Sequence, residues 1–497
     1  MPPAKKLKVL FVTPEVVPFV KTGGIADVSS ALPQKLQEMG HQVRIVCPKY
    51  GAIDERKFRI HEVVRLKDLK TQIGEKEVEY SLRSSFLVGN KTRIQIYFLD
   101  NAEYFTKRHS LYADPLTRED FEDNDERYTL FAKAVFELIQ KLGWVPDIIH
   151  CNDWQCGLIP AYLKTMFNED PVFEKVKTVF TIHNMAFQGE FKESTFNITG
   201  LPDELNSNDG VLHKGKFSFL KSALKYSDEI TTVSETYAKE IHDDKNIHSG
   251  LDKVLSERKI NVNGIVNGID TQIWNPEKDK FIAKKYGVKS LQDKTENKKA
   301  LADKFGLDYK ADTPILGIIS KLVDVKGFNL IESVFEELMK LDIQMILLGT
   351  GENKYHRFFE EMFMKYPEKF SCYLGFDDEL AHLIEAGSDM FLMPSKYEPC
   401  GLNQMYSLIY GTVPVVRATG GLADTVLKYD EKTKEGNGFV FEKFGARDLL
   451  RELKRALNIY KGDKESWTQI MQAGMEDNFT WLESSKKYVD LYKKVLK

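Results

Sequence analysis

The sequence predicts an α/β protein built from two doubly wound domains that face each other across a cleft. Three observations lead there. Short β-branched apolar runs alternate with amphipathic stretches along the whole chain, a turn-rich seam interrupts the pattern near the middle, and the chemically distinctive motifs follow the apolar runs directly. Continuous apolar runs between helical patterns suit parallel strands covered on both faces, and their alternation with helices means βαβ units.

In the first half the runs are Val9–Thr13, Val43–Cys47, Ile94–Leu99, Asp147–Cys151, Thr178–Ile182 and Glu229–Val233. In the second half they are Pro314–Ser320, Gln344–Leu348, Met390–Pro394, Val413–Arg417 and Gly438–Phe441. The seam is the turn Asn267-Gly268-Ile269-Asp270, then Trp274-Asn275-Pro276 and a polar, lysine-rich stretch through Lys299. These features give a Rossmann-like domain over 1–266 and a second over 267–480. The last stretch, Trp481–Leu496, has Trp481, Leu482, Tyr488, Leu491 and Val495 at helical spacing. It is expected to return to the first domain as a helix over 481–497.

Bulk properties narrow the function. The 497 residues are 42% hydrophobic and 29% charged, with a net charge of −4, so the basic footprint of a nucleic-acid or anionic-membrane partner is missing. No apolar stretch approaches the ~20 residues of a membrane span. The apolar segment Val9–Thr13 runs into Pro14-Glu15 and is too short for a signal peptide. Five cysteines without CxxC spacing fit a reducing compartment. A cytoplasmic location is expected, and a mature plastid protein freed of its transit peptide has the same appearance.

In open α/β sheets, ligands bind beyond the carboxyl ends of strands, so the chemistry is sought there. After the first run comes Lys21-Thr22-Gly23-Gly24-Ile25-Ala26-Asp27, a glycine turn opening a helix beside a lysine. Helix amides and a mobile cation make an anion site, although a plain turn with a solvated lysine has the same sequence. Asp153-Trp154 and His183-Asn184 follow two further runs and offer hydrogen-bonding groups to sugar hydroxyls, or serve structure alone. In the second half, Lys321 and Lys326 lie in what reads as a loop before a helix, placed for a diphosphate or simply solvated. Glu398, fixed between Tyr397 and Pro399-Cys400-Gly401, reads as a carboxylate at the start of a helix. Thr419-Gly420-Gly421-Leu422 is another helix-opening turn, and Thr-Gly-Gly-(Ile/Leu)-Ala-Asp thus occurs at both 22–27 and 419–424.

Together these loops resemble the bacterial glycogen synthase and plant starch synthase family from Val9 to about Tyr488, in the right order and spacing. The resemblance implies the GT-B fold and a retaining glucosyltransferase that uses ADP-glucose to extend the non-reducing end of an α-1,4-glucan. By that resemblance Lys21, Gly23 and Gly24 approach the donor phosphates, and Lys326 neutralises the departing diphosphate with Lys321 beside it. Phe376 stacks on adenine, and Glu398 holds the transferred glucose. Cys400, Gly401, Thr419, Gly420 and Gly421 complete the donor side. Asp27, Tyr112, Asn184 and Asn267 line the acceptor side, with Asp153 and His183 near the reacting sugar. No metal or cofactor beyond the nucleotide-sugar is implied, since the basic residues meet the diphosphate and no Asp-x-Asp pair is placed for Mg²⁺.

Three positions depart from the family pattern: Lys321 stands for arginine, Gln155 for histidine and Asn403 for threonine. They leave room for a catalytically weak, glucan-binding homologue that primes or regulates granules. A retaining GT-B enzyme with a small acceptor is the other rival. Many of those carry a second glutamate eight residues after the first, where this chain has Tyr406.

Overall fold

The structure, a computed structural model, describes residues 6–89, 91–248, 250–258 and 262–497. The chain divides into two compact units. The first comprises Met1–Val233, Ala238–Ile265 and Trp481–Lys497, and the second Ser234–Tyr237 and Val266–Thr480. Among the described residues no helix is long and apolar enough to cross a membrane.

The first unit is built on a ten-stranded sheet. From one edge it runs Asn263–Gly264, Glu229–Thr232, Lys177–Ile182, Ile148–Asn152, Lys8–Val12, Gln42–Pro48, Arg93–Asp100, Lys76–Val88 and His61–Glu62, with Leu69–Ile73 also paired to Lys76–Val88. Every pairing from Asn263–Gly264 to Arg93–Asp100 is parallel. Val9 lies opposite both Val43 and Ile148, and all three are buried. All six apolar runs of the first half are strands of this sheet. The antiparallel strands Lys76–Val88, Leu69–Ile73 and His61–Glu62 had no such signature. Lys76–Val88 interleaves buried Tyr80, Leu82 and Leu87 with half-buried or exposed residues, most of them polar but Phe86 and Val88 among them, because helices do not cover it on both sides.

The terminal helix Trp481–Val495 packs on helix Gly24–Glu38 of the same unit. Trp481, Tyr488 and Leu491 are buried, but Leu482 is 40% exposed and does not belong to the buried face. Buried Tyr492 takes that role: its hydroxyl meets His150 Nδ1 at 2.7 Å. The other ring nitrogen of His150 lies 2.6 Å from Thr181 Oγ1, which in turn meets Thr231 Oγ1 at 2.6 Å.

The second unit has a six-stranded, wholly parallel sheet. Its order is Phe370–Tyr373, Gln344–Gly351, Ile315–Leu322, Met390–Met393, Val413–Arg417, Phe439–Phe441. Numbered in chain order this is 3-2-1-4-5-6, the order of dinucleotide-binding folds. The short edge strand Phe370–Tyr373 gave no continuous apolar run. The lysine-rich stretch after the seam holds a helix, Lys294–Lys304, with Lys294 and Lys298 both buried. Lys294 Nζ donates to Ala386 O and Thr412 Oγ1, each at 2.7 Å, and burial lowers its pKa to about 7. Trp274 lies between the rings of His382 and Tyr406 at centroid distances of 3.8 and 3.9 Å. Tyr406, eight residues past Glu398, therefore fastens the chain after the seam to the second sheet's helices.

Candidate active site

Each sheet reverses its winding once, and the crevice beyond the strand ends at that point is the natural ligand site of an open α/β sheet. In the first unit the reversal lies between Lys8–Val12 and Ile148–Asn152, in the second between Ile315–Leu322 and Met390–Met393. The loops after these four strands carry Lys21, Asp153, Lys326 and Glu398.

In the first unit, Gly23 caps helix Gly24–Glu38 in an extended conformation with open space where a Cβ would stand, so neither a positive φ nor a close backbone approach calls for glycine at this position. Lys21 Nζ pairs with Asp27 Oδ1 at 2.9 Å on the surface. A carboxylate that sequence reasoning passed over organises this loop. Glu15 is 2% exposed. It accepts from Thr22 N at 2.5 Å, Thr22 Oγ1 at 2.5 Å, Gly23 N at 3.3 Å and Tyr112 Oη at 2.6 Å. The Gly23 amide, expected to face donor phosphates, thus turns towards Glu15. The available signal was a glutamate directly after a buried strand, seven residues before a glycine turn.

Asp153 has φ 56° and ψ 176°, a conformation that residues other than glycine rarely adopt. Its Oδ1 accepts from His183 N at 2.7 Å. Burial pushes its pKa up to about 7, against the bonds from the His183 and Asn184 amides, and the Glu15 charge adds to the rise. His183 is held by Asn152. The Asn152 Nδ2 donates to Val12 O at 3.0 Å, which turns its Oδ1 to His183 Nε2 at 2.9 Å. Nε2 therefore carries the proton and Nδ1 keeps its lone pair. Burial lowers the pKa of His183 to about 3, so the ring is neutral at physiological pH. Asn184 spends its Oδ1 on Ala186 N at 3.0 Å. Gln155 is buried, and its Oε1 has no partner among the described residues.

In the second unit Lys326 ends the turn Asp324–Lys326, and Gly327 caps helix Phe328–Lys340. Its Nζ lies 2.7 and 2.6 Å from the two oxygens of Glu398, and Ser395 Oγ donates to the same carboxylate at 3.0 Å. Glu398 is not at a helix start: the next helix is Asn403–Ile409. Backbone contacts hold it instead. Gly420, with φ 43°, lies so close that a Cβ would be 2.0 Å from Glu398 O, and one on Gly421 would be 2.1 Å from Cys400 O. Gly421 N donates to Glu398 O at 3.1 Å, with Thr419 capping the helix Gly420–Thr425. Arg417, at the end of its strand, donates Nε to Ser395 O at 2.8 Å and Nη2 to Lys396 O. Sequence reasoning counted that arginine only as a strand residue.

Lys321 lies within the strand Ile315–Leu322, not in a loop, and is exposed. Phe376 is 74% exposed, between the strand Phe370–Tyr373 and the helix Asp378–Gly387. Asn403 Nδ2 donates to Ile319 O at 2.8 Å, so this departure pins a helix to the strand that carries Lys321. Buried Asn267 lies against Cys400, whose thiol is pushed up to about 12 by burial and is no nucleophile at neutral pH. Gly401 has φ 73°, a conformation reserved for glycine in this turn. The repeated hexapeptide opens a helix in both units, but its acids differ in use. Asp27 faces Lys21, whereas Asp424 Oδ1 accepts from Thr236 Oγ1 at 2.6 Å.

Two Rossmann-like units, each with cations and carboxylates at the point where its sheet reverses, make a glycosyltransferase of the GT-B class. Residues 8–257 match the starch synthase catalytic domain family and residues 301–492 the group 1 glycosyl transferases. The chain belongs to the glycogen and starch synthase family. It is 42% identical to a glycogen synthase of Desulforudis audaxviator over 98% of this chain and 96% of that protein. It is equally identical to one of Thermotoga maritima over 99% of each. The catalytic domain of starch synthase IV from Arabidopsis thaliana, solved with ADP and acarbose bound, superposes with a TM-score of 0.89 at 31% identity. That match covers 99% of this chain and all of the other. A sucrose-phosphate synthase from Thermosynechococcus elongatus shares the fold, with a TM-score of 0.60 at 16% identity.

Proposed function

We propose that the chain transfers glucose, with retention, from ADP-glucose to the non-reducing end of an α-1,4-glucan. The observation that carries this reading is the Lys326–Glu398 pair, fixed by glycine turns at the reversal of the donor-type sheet. Cleaving a glucosyl–phosphate bond leaves negative charge on the diphosphate and positive charge on the sugar ring. Lys326, with Lys321, meets the first, while Glu398 holds hydroxyls of the transferred glucose. Neutral His183 offers the Nδ1 lone pair to a sugar hydroxyl, and Asp153 adds a carboxylate next to it. With lysines facing the diphosphate, the reaction does not need a divalent metal. The ADP and acarbose in the Arabidopsis relative, and the names of the bacterial relatives, support this donor and a glucan acceptor.

Purified protein given labelled ADP-glucose and glycogen should lengthen the glucan in the presence of EDTA. Failure with every nucleotide-glucose, while glycogen still binds, would give the place to a non-catalytic, glucan-binding role. The five cysteines, none in a disulfide and four of them buried, support a cytoplasmic home.

A further inference from the structure

The four groups that donate to the Glu15 carboxylate belong to Thr22, Gly23 and Tyr112. Thr22 and Gly23 are the loop that presents Lys21 and opens helix Gly24–Glu38, and Tyr112 belongs to a different segment. Among the described residues no cation pairs with Glu15, so hydrogen bonds alone compensate its burial. Tyr112, Tyr128, Cys47 and Asp153 lie within reach of its charge, and none of these four is basic. Its main chain is fixed as well, since Thr13 Oγ1 donates to Glu15 O at 2.9 Å and meets Ser29 Oγ at 2.7 Å. A buried carboxylate that spends its whole hydrogen-bonding capacity on an exposed loop and one tyrosine holds that loop in place.

We propose that Glu15 is a positioning residue, which splints the Lys21–Gly24 loop to Tyr112 so that phosphate-facing and acceptor-facing groups keep one geometry. The inference rests on the glucosyl-transfer reading above. Only a carboxylate can do this. A glutamine at the site has one acceptor oxygen, and its amide hydrogens would face the N–H groups of Thr22 and Gly23. The charge also matters to Asp153, whose proton it helps retain.

The test is steady-state kinetics of the full chain with ADP-glucose and glycogen. Glu15→Gln should lower kcat about 30- to 100-fold and change the donor KM less than about five-fold, because misplaced groups cost rate more than binding. Thr22→Val, at an exposed position, should cost about three- to ten-fold and show little further loss when combined with Glu15→Gln. In Glu15→Gln the acid limb of the kcat–pH profile should move to lower pH, which a purely structural role would not produce. Wild-type kcat in Glu15→Gln, or full additivity of the two losses, overturns the proposal. If Glu15→Gln does not fold, wild-type kcat in Thr22→Val overturns it instead. A wild-type protein without transfer activity removes the functional reading and this inference together, whereas an active one with indifferent variants removes only the role of Glu15.

Discussion

At the scale of single residues, Asp153 joins three independent signs: a backbone conformation normally left to glycine, a raised pKa, and a bond that orders the neighbouring His183 backbone. Its ionisation has a calculable sign. In the unfolded chain the carboxyl ionises near its ordinary value of about 3.9, but in the fold it holds its proton up to about 7. The resulting penalty is absent below the lower value, grows as pH rises towards 7, and is constant above it. Asp153→Asn should therefore raise the unfolding free energy by on the order of 4 kcal/mol at pH 8, and hardly at all at pH 4, while turnover collapses. Thermal melts at the two pH values check this. Lys326→Ala and Glu398→Ala should each lower kcat about 100-fold, read from initial rates with labelled ADP-glucose, and Lys326→Ala should also lower the melting temperature because it leaves buried Glu398 without its cation. Gln155, Lys321 and Asn403 showed in the sequence as departures. Glu15 did not, because a lone glutamate after a strand gains its meaning only from what the fold brings to it.

Among elements, the glycine turn at Gly420 and the terminal helix do distinct work. Gly420→Ala places a methyl group against Glu398 O and forces an unfavourable φ, so the Glu398 loop must move. We expect a destabilisation of about 1–3 kcal/mol together with loss of transfer, measured by denaturant titration and rate assay on the same preparation. Tyr492→Phe leaves one nitrogen of buried His150 without its partner, at a cost of about 1–3 kcal/mol to the first unit. Urea melts followed by tryptophan fluorescence read that loss. The parallel strands were legible because burial on both faces enforces continuous apolar runs. The antiparallel edge and the helix Lys294–Lys304 were not. One faces water on one side, and the other buries lysine stems whose ammonium groups find carbonyls, which hydrophobic periodicity does not register.

For the whole molecule, ligand binding should register as stability. ADP at about 100 times its Kd should add about 2.7 kcal/mol, and the shift in melting temperature should vanish in Lys326→Ala if that lysine holds the diphosphate. By itself the sequence determined the class of fold, the strands that lead to Lys21, Asp153, His183, Lys326 and Glu398, and the family, since these depend on local patterns and fixed spacings. The tertiary structure alone decided the strand order that puts Lys326 beside Glu398 at one reversal of the sheet. It alone showed the burial that neutralises His183 and raises the pKa of Asp153 to about 7, and the convergence of Thr22, Gly23 and Tyr112 on Glu15. Strand order and burial depend on contacts between residues tens to hundreds of positions apart, and no local window of sequence contains them.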